Sequence, residues 1–305
     1  MYYFIVNPSS RGSKSGDIWK SIEQELHVRG IPYKKFYTRY AGHTPELTRR
    51  ICKTYPGQKN LIFLGGDGTV NEVLNGIPDP SEVTLGYIPT GSGNDFAGSL
   101  GIPADPLQAL DRILSCKTPR VLDYGTVTMN GFTHRYAGSA GIGYDAEVCR
   151  QVSKSKLKGL LNHIGLGKLI YLVLALKSFF TFPRVAVTVT TDEGPSVTYP
   201  RVIFVCPMNQ PREGGSMIMA PGAKMDDGNL TVCTFYGISR LKALLLLPLT
   251  YFGRHIGFSG TRQEDCKTVE IRAKQPLPVH VDGEYIGEAD HAVFSVSHGR
   301  IRVMI

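Results

Sequence analysis

The chain has 305 residues, of which 42% are hydrophobic and 20% are charged, and its formal net charge is +8 at pH 7. This composition excludes an intrinsically disordered chain, and the length is sufficient for two hydrophobic cores. The basic balance favours an anionic partner, such as nucleic acid, a nucleotide phosphate or an acidic membrane surface. Six widely spaced cysteines without a CxxC pair argue against a disulfide framework or a zinc site.

The sequence contains no pattern typical of a signal peptide or of a membrane-spanning helix. Its strongest apolar runs are LIYLVLAL at 169–176 and ALLLLPL at 243–249. Both are much shorter than the roughly 18–20 residues that a spanning helix needs. We therefore expect a cytoplasmic protein that at most lies on a membrane surface.

Predicted strands and helices alternate over the first 124 residues. The predicted strands are Tyr2–Val6, Tyr33–Tyr37, Asn60–Leu64 and Thr84–Ile88, and the predicted helices are Asp17–Val28, Thr44–Tyr55 and Val70–Asn75. This alternation is typical of a parallel sheet with helices on both faces. Thr44 is the predicted N-cap of the second helix, because Pro45 follows it at the first turn.

After about Asp123 the pattern changes to short, β-branched and often alternating segments. These segments are Val185–Thr191, Val197–Val205, Asn229–Tyr236, Thr268–Ala273, Pro278–Val281 and Ala292–Val296. They predict an antiparallel β domain, which one helical segment, Leu157–Phe182, interrupts. The sequence thus predicts an α/β domain at 1–124 and a β domain at 125–299.

A glycine-rich segment, LGGDGTVNEVLNG at 64–76, directly follows the third predicted strand. Glycines let the backbone approach a phosphate closely, and the N-terminus of the following helix favours an anion. The carboxylate of Asp67 would repel a phosphate unless it binds a metal ion or accepts a proton. Asp67 therefore indicates magnesium-assisted phosphoryl transfer, with a plain tight turn as the alternative.

Two further turns follow predicted strands. The segment PTGSGNDFA at 89–97 follows the fourth strand, and the segment NPSSRG at 7–12 follows the first. Because the carboxyl ends of parallel strands meet at one edge of a sheet, we expect all three turns to face the same ligand crevice.

In this order and spacing, NPSS, GGDGTVNEVLNG and PTGSGNDFA resemble the catalytic domain of the diacylglycerol kinase family, in particular its soluble bacterial lipid kinases. The similarity continues through GIGYDAEV (141–148), AKMDDGNL (223–230) and VHVDGEYIG (279–287). The resemblance implies a three-layer, NAD kinase-like and phosphofructokinase-like nucleotide-binding domain and a C-terminal antiparallel β-sandwich. It also implies an active site between the two domains, and a return of residues 300–305 to the first domain.

The same resemblance implies that ATP is the co-substrate and that Mg²⁺ is required. The implied ATP-binding residues are Asn7, Ser9, Ser10, Thr44, Gly65, Gly66, Asp67, Gly68, Thr69, Asn71, Glu72, Thr90, Gly91, Ser92 and Asn94. Asp67 and Asp95 are the candidates for holding the catalytic Mg²⁺. Relatives hold a structural Mg²⁺ at positions that match Lys224, Asp227 and Asn229, and an ordinary acidic turn is the alternative there.

The segment Asp282-Gly283-Glu284 matches the family motif that supplies the general base. Either carboxylate of this segment could accept the proton of a lipid hydroxyl. Glu284 is the first candidate for the base and Asp282 is the second. A simple Asp-Gly hairpin turn is the alternative. The resemblance also suggests an ion pair between Asp123 and Lys168.

Two stretches, 148–191 and 228–263, contain no Asp or Glu and combine apolar residues with lysine and arginine. This combination suits contact with an anionic bilayer surface, and core helices with solvated basic residues are the alternative. We therefore expect peripheral contact with an anionic membrane.

The leading hypothesis is an ATP- and Mg²⁺-dependent kinase that phosphorylates the primary hydroxyl of a diacylglycerol-like lipid. NAD kinases share GGDGT and form the second hypothesis, and a non-catalytic lipid or nucleotide sensor forms the third. Nucleic acid is not an expected partner, because the basic residues are not interleaved with a stacking aromatic platform. The sequence does not identify the acceptor lipid, and it is compatible with a homodimer.

Overall fold

The computed structural model describes residues 1–7, 14–154, 167–192 and 194–305. The chain forms two compact units. The first comprises Met1–Tyr124, Met225–Asp227 and Ser297–Ile305, and the second comprises Gly125–Lys224 and Gly228–Val296. Among the described helices, none is both long enough and apolar enough to cross a membrane.

The first unit is a three-layer α/β domain. Its strands are β1 (Tyr2–Val6), β2 (Tyr33–Tyr37), β3 (Lys59–Gly65) and β4 (Val83–Pro89), and its helices are α1 (Lys14–Val28), α2 (Thr44–Thr54), α3 (Asp67–Gly76), α4 (Asp95–Leu100) and α5 (Pro106–Ser115). The strands are parallel in the order β2–β1–β3–β4. Near the C-terminus, Arg302 and Val303 pair in parallel with β4.

The central strands β3 and β4 are buried almost throughout, as expected of parallel strands covered on both faces. On one face, side chains of α1 and α5 pack against the sheet in a single core cluster. This cluster contains Trp19, Ile22 and Leu26 of α1, Leu110 and Ile113 of α5, and Ile62, Leu64 and Ile88 of the sheet. The first unit therefore has the α/β fold class that the alternation of predicted strands and helices indicated.

The second unit is a β-sandwich domain with antiparallel strand pairs. Its strands are β5 (Arg120–Met129), β6 (Phe132–Tyr136), β7 (Ala140–Gly143), β8 (Val187–Thr191), β9 (Val197–Tyr199), β10 (Phe204–Met208), β11 (Arg212–Glu213), β12 (Met217–Ile218), β13 (Leu230–Phe235), β14 (Thr261–Cys266), β15 (Thr268–Val281) and β16 (Glu284–Val303), and its helices are α6 (Tyr144–Lys154), α7 (Gly167–Thr181) and α8 (Arg240–Thr250). The main path of strands is β14–β13–β10–β7–β15–β16. β5 begins, and β16 ends, with residues of the first unit.

Several predicted boundaries differ from the structure. Helix α3 begins at Asp67 rather than at Val70, because Gly66 has the extended conformation of an N-cap. The N-cap of α2 is His43 rather than Thr44, and Thr44 is the first helical residue. The predicted strand Val197–Val205 is divided between β9 and β10. The predicted strands Thr268–Ala273 and Pro278–Val281 form the single strand β15. Residues 157–166 of the predicted helix lie outside the described residues.

Candidate active site

The two glycine-rich loops that follow β3 and β4 lie against each other through their backbones. The N–H groups of Thr90 and Gly91 donate hydrogen bonds to the carbonyl oxygen of Gly65, at 2.7 and 3.0 Å. A Cβ atom on Gly91 would overlap the Cα atom of Gly66. Glycine is therefore required at this contact, and the two loops predicted to share a crevice are neighbours.

Asp67 links these two loops through its side chain. It lies in the first turn of α3, and its Oδ2 and Oδ1 atoms accept hydrogen bonds from the backbone N–H groups of Asp95 and Phe96, at 3.1 and 3.0 Å. The Asp67 carboxylate therefore caps α4. Asp95 itself is buried beside this contact. Two carboxylates at one edge of the sheet provide the oxygen ligands that Mg²⁺ prefers.

The loop after β4 is closed by the side chain of Asn94, which has a positive φ of 57°. Asn94 Nδ2 donates to the carbonyl oxygen of Gly91, and Asn94 Oδ1 accepts from the Gly91 N–H, both at 3.0 Å. The Tyr87 hydroxyl also donates to Asn94 Oδ1, at 3.1 Å. Burial, assisted by the Asp67 and Asp95 carboxylates, raises the pKa of Tyr87, so this phenol keeps its proton. Asn94 thus shapes the loop that exposes Ser92 at its tip.

An open cavity of about 250 Å³ lies beside the loop after β3, and its described lining includes no residue of the loop after β4. Its lining includes six of the predicted ATP-binding residues, Asn7, Thr44, Gly66, Gly68, Thr69 and Glu72, together with Tyr40, Ala41 and Gly42. Residues at the start of α3 line this cavity, and a helix N-terminus favours the binding of an anion. The cavity therefore brings together residues from the ends of β1 and β3 and from the start of α2.

Tyr40 was missed by the sequence analysis. Its ring stacks on His43 with 4.5 Å between centroids, and its hydroxyl donates to Glu46 Oε2 at 2.7 Å. These two contacts fix an aromatic ring at the cavity although 58% of the residue is exposed. The signal that could have identified it is an aromatic residue directly before the turn that starts α2.

The remaining predicted ATP-binding residues have varied positions. Ser9 and Ser10 lie outside the described residues. Gly65 is buried at the end of β3, where a Cβ atom would overlap the Thr69 side chain. Thr90 is also buried, and Asn71 accepts a hydrogen bond from the Asn75 side chain within α3. For these residues, an ATP contact stays a prediction.

In the second unit, Asp282 and Gly283 form a two-residue hairpin turn between β15 and β16. Both have positive φ, 47° and 82°, as a type I′ turn requires. The Asp282 Oδ1 atom accepts from the N–H groups of Gly138 and Ser139, at 2.8 and 3.0 Å, and Oδ2 accepts from Ala137 N–H at 2.8 Å. The hairpin alternative is therefore correct as local structure. The Asp282 carboxylate is engaged by three backbone donors, whereas Glu284 is exposed.

A cluster of buried polar side chains lies behind this turn, and the sequence analysis did not predict it. His280 is fully buried on β15, and its Nε2 atom lies 3.0 Å from Asp145 Oδ2 and 3.2 Å from Glu213 Oε1. Burial lowers the pKa of His280, but Asp145 above all, followed by Glu213 and Asp282, raises it to about 9. An imidazole and two carboxylates are also a possible ligand set for a metal ion.

The predicted structural Mg²⁺ site falls on the turn between Ala223 and Leu230. Lys224 and Asp227 are exposed in this turn, and Asn229 is half-buried. The neighbouring Asp226 forms an ion pair with Arg120, with 2.7 Å between Nη2 and Oδ2. Oxygen atoms are available here for a hard cation, and metal binding by these residues stays a prediction.

Asp123 is buried in the first unit. Its Oδ1 atom lies 2.9 Å from His298 Nδ1 and accepts a hydrogen bond from Gly299 N–H at 2.6 Å. The suggested partner of Asp123, the side chain of Lys168, lies outside the described residues. In the described structure, Asp123 thus contacts His298 and Gly299, near the C-terminus.

The three-layer α/β domain with contacting glycine loops, followed by a β-sandwich, matches the architecture of a family of kinases. Residues 1–127 match the diacylglycerol kinase catalytic domain, and residues 138–305 match the YegS C-terminal NAD kinase beta sandwich-like domain. The chain belongs to the diacylglycerol kinase family, which confirms the predicted family and fold. It is therefore a lipid kinase at the level of its family, and this family uses ATP as co-substrate.

Individual relatives agree with this assignment. The chain is 31% identical to a diacylglycerol kinase of Staphylococcus aureus, over 93% of this chain and 86% of the relative. It is 29% identical to YtlR of Bacillus subtilis, provisionally named a lipid kinase, over 94% of both chains.

Solved structures show the same fold. A diacylglycerol kinase from Bacillus anthracis is similar with a TM-score of 0.71 and 19% identity, over 99% of this chain and 96% of that chain. An NAD kinase from Archaeoglobus fulgidus, solved in complex with ATP, has a TM-score of 0.54 and 11% identity, over 100% of this chain and 94% of that chain. The fold is thus shared by lipid kinases and NAD kinases, and only the site can distinguish their substrates.

Proposed function

We propose that this protein transfers the γ-phosphoryl group of ATP to the primary hydroxyl of a diacylglycerol-like lipid, in a reaction that requires Mg²⁺. The observation that carries the proposal is the contact between the two glycine loops, which Asp67 ties together beside a cavity lined by predicted ATP-binding residues. Phosphoryl transfer depends mainly on positioning and electrostatic stabilisation, and a rigid pair of phosphate-binding loops supplies both.

The nucleotide side of the proposed reaction is assigned to the first unit. The backbone at the start of α3 would hold the phosphates, while Thr44, Thr69 and Glu72 line the cavity beside it. Asp67 and Asp95 would hold Mg²⁺, which neutralises the charge that develops on the phosphoryl oxygens. Their carboxylate oxygens fit this role because Mg²⁺ takes oxygen ligands and retains several waters.

Glu284 is the proposed general base. A base must reach the lipid hydroxyl and have a lone pair available for its proton. The Asp282 carboxylate already accepts three backbone hydrogen bonds, so protonating it would disrupt the turn. Glu284 is exposed at the first position of β16, directly after that turn. We therefore assign the proton transfer to Glu284 and the support of the turn to Asp282.

We assign contact with the lipid and the membrane to exposed apolar residues on two helices of the second unit. We call this set the apolar strip: it comprises Val173, Leu176 and Phe180 of α7, and Leu241, Leu245 and Phe252 of α8 and the turn after it. Leu241 and Leu245 are each 68% exposed, while Ala243 and Leu246 of the same helix are buried. The Arg240 guanidinium donates to the carbonyl oxygens of Phe180 and Phe182, so the two helices adjoin.

Charge around the apolar strip favours an anionic membrane as its partner. The stretch 228–263 contains Arg240, Lys242, Arg254 and Arg262 and no acidic residue. Apolar side chains next to cations bind the boundary between headgroups and acyl chains of an anionic bilayer. A soluble dinucleotide would need no such surface. The strip therefore favours a lipid acceptor over NAD, and we propose that the enzyme works at the cytoplasmic surface of an anionic membrane.

The proposal is tested by incubating the purified protein with Mg²⁺ and γ-labelled ATP. Parallel reactions contain mixed micelles of a diacylglycerol, a monoacylglycerol or a sphingoid base, and a further reaction contains NAD. We expect label in a lipid, and none after chelation of Mg²⁺. Label in NAD alone would assign the protein to the dinucleotide kinases. ATP binding without transfer to any acceptor would favour the sensor hypothesis.

A further inference from the structure

We infer that Asp145, Glu213 and His280 form a buried positioning cluster that fixes the Asp282–Glu284 turn, and that they do not bind a metal ion. The inference rests on the proposed function, because the turn presents the proposed base. Asp145 lies on α6, Glu213 on β11 and His280 on β15, so three separate elements meet at one imidazole. None of the three side chains has a role in the kinase reaction as proposed above.

His280 connects the cluster to the turn directly. It lies two residues before Asp282 on the same strand, and its Nε2 atom is within hydrogen-bonding distance of both carboxylates. On its other side, Nδ1 lies 3.3 Å from the Gly283 N–H and can accept a hydrogen bond from it only in the neutral ring, whereas the raised pKa of His280 favours the charged ring. Nε2 carries a proton in both the neutral and the charged form of this ring, so the bridge between the carboxylates does not depend on the charge.

Ser139 provides a second connection between the cluster and the turn. Its Oγ hydroxyl donates to Glu213 Oε1 at 3.2 Å, and its backbone N–H donates to Asp282 Oδ1 at 3.0 Å. The Asp282 N–H returns a hydrogen bond to the Ser139 carbonyl oxygen at 2.7 Å. Both sides of the turn are therefore tied to the same carboxylate pair, by His280 on one side and by Ser139 on the other.

The donors around the carboxylates favour a hydrogen-bonded cluster over a metal site. Asp145 Oδ2, which contacts His280, also accepts from the Cys206 thiol at 2.9 Å. Glu213 Oε1, which contacts His280, is the atom that accepts from Ser139. The two oxygens that contact His280 thus face two proton donors each, whereas Asp145 Oδ1 is buried without a hydrogen-bond partner among the described residues.

The absence of a side chain at Gly141 leaves space for the contact between Asp145 and His280. A Cβ atom on Gly141 would overlap the Asp145 carboxylate and would lie 2.5 Å from His280 Nε2. Glycine at this point of β7 lets the Asp145 and His280 side chains meet over the backbone. A hydrogen-bonded network around a buried side chain orders the segments that it joins.

The test compares His280→Gln with a matched control, His255→Gln. His255 is also fully buried in the second unit, but it contacts Met219 and Cys233 rather than the turn. We expect His280→Gln to lower kcat by roughly 10- to 100-fold with no change in KM for ATP, the range typical of outer-shell positioning residues. His255→Gln should lower the melting temperature without changing kcat. An unchanged kcat in His280→Gln, or an equal kinetic loss in both variants, would overturn the inference.

Ser139→Ala is the milder second variant in case His280→Gln does not fold. It removes one hydrogen bond to Glu213 and keeps the backbone bond to Asp282. We expect a decrease in kcat of about 5-fold with KM for ATP unchanged. An unchanged kcat in this variant would also count against the inference.

A readout that needs no activity separates this inference from the proposed function. Hydrogen–deuterium exchange of the peptide that covers 280–287 should be faster in His280→Gln than in the wild type, and unchanged in His255→Gln. If the wild type phosphorylates no lipid, the proposed function fails and this exchange result still decides the inference. Equal exchange in all three proteins would overturn it, as would one tightly bound metal ion per chain that is absent from His280→Gln.

Discussion

The glycine-rich loops of the first unit and the Asp282–Glu284 turn of the second unit are both held by hydrogen bonds, but by different kinds of groups. The loops are fixed largely by backbone contacts between glycines, as between Gly65 and Gly91, and by the side chains of Asp67 and Asn94. The turn is fixed by side chains that come from α6, β11 and β15. Contacts between glycine backbones depend on the residues of short local segments. Contacts between side chains of distant elements depend on the tertiary structure that brings those elements together.

The largest effect is expected for Glu284→Gln, which separates the proposed base from its neighbour Asp282. Removing a general base typically costs about 10²- to 10⁴-fold, so kcat should fall by that factor while KM for ATP stays unchanged. Asp282→Asn is the comparison, because it weakens the hydrogen bonds that the Asp282 side chain accepts from the N–H groups of Ala137 and Ser139. This variant should mainly lower stability. A larger loss of kcat in a folded Asp282→Asn protein would reverse the two assignments.

A second large effect is expected for Asp67→Asn, which removes the charge at the junction of the two loops. We expect kcat to fall by about 100-fold or more and the Mg²⁺ concentration for half-maximal activity to rise. Asp105→Asn is a matched control, since Asp105 also caps a helix by accepting from two backbone N–H groups, those of Leu107 and Gln108. Equal kinetic effects in both variants would show that Asp67 acts only as a cap.

Gly91→Ala tests the backbone contact between the loops. The added methyl group would overlap Gly66, so we expect a loss of about 1–3 kcal/mol in the free energy of unfolding and weaker ATP binding. Gly16→Ala in α1 is the control, because its Cβ would meet no atom within 4 Å. That variant should gain roughly 0.5–1 kcal/mol of stability, as Ala usually does over Gly in a helix. Chemical denaturation and ATP titration would measure both quantities.

The smallest effect is expected at the apolar strip. Leu241→Glu should lower the partition coefficient onto anionic vesicles by roughly 10-fold, because an exposed leucine contributes to binding when it enters the bilayer boundary. Phe132→Glu is the control, since Phe132 is 71% exposed on β6 and lies outside the strip. Binding of the wild type should also weaken as salt rises. Equal losses in both variants, or salt-independent binding, would contradict the assignment.

The sequence predicted the parts of the fold that are encoded locally. β1 and β2 have the predicted bounds, because both are short segments rich in aromatic residues, which favour strands. The start of α3 was wrong by three residues, since glycine and aspartate suggest a loop although Asp67 is helical here. The continuity of β15 across residues 274–277 also escaped prediction, because its register shifts between Arg272 and Leu277.

The same distinction applies to the candidate site. The glycine loops and Asp67 were predicted from their own residues, whereas Glu284 was predicted from the resemblance to the family. Asp145 and His280 lie inside segments that resemble the family, yet nothing in either segment indicates that they meet. Glu213 lies in a region without a recognisable motif, and only the folding of β11 brings it to His280. Contacts between side chains from distant segments require the tertiary structure.

The most direct test of the central claim is transfer of label from γ-labelled ATP to diacylglycerol in mixed micelles, measured with Mg²⁺ for the wild type, Glu284→Gln and His280→Gln. The account predicts strong labelling by the wild type, labelling at least about 100-fold slower for Glu284→Gln, and an intermediate rate for His280→Gln. Labelling of NAD but of no lipid by the wild type, or full activity in Glu284→Gln, would contradict it.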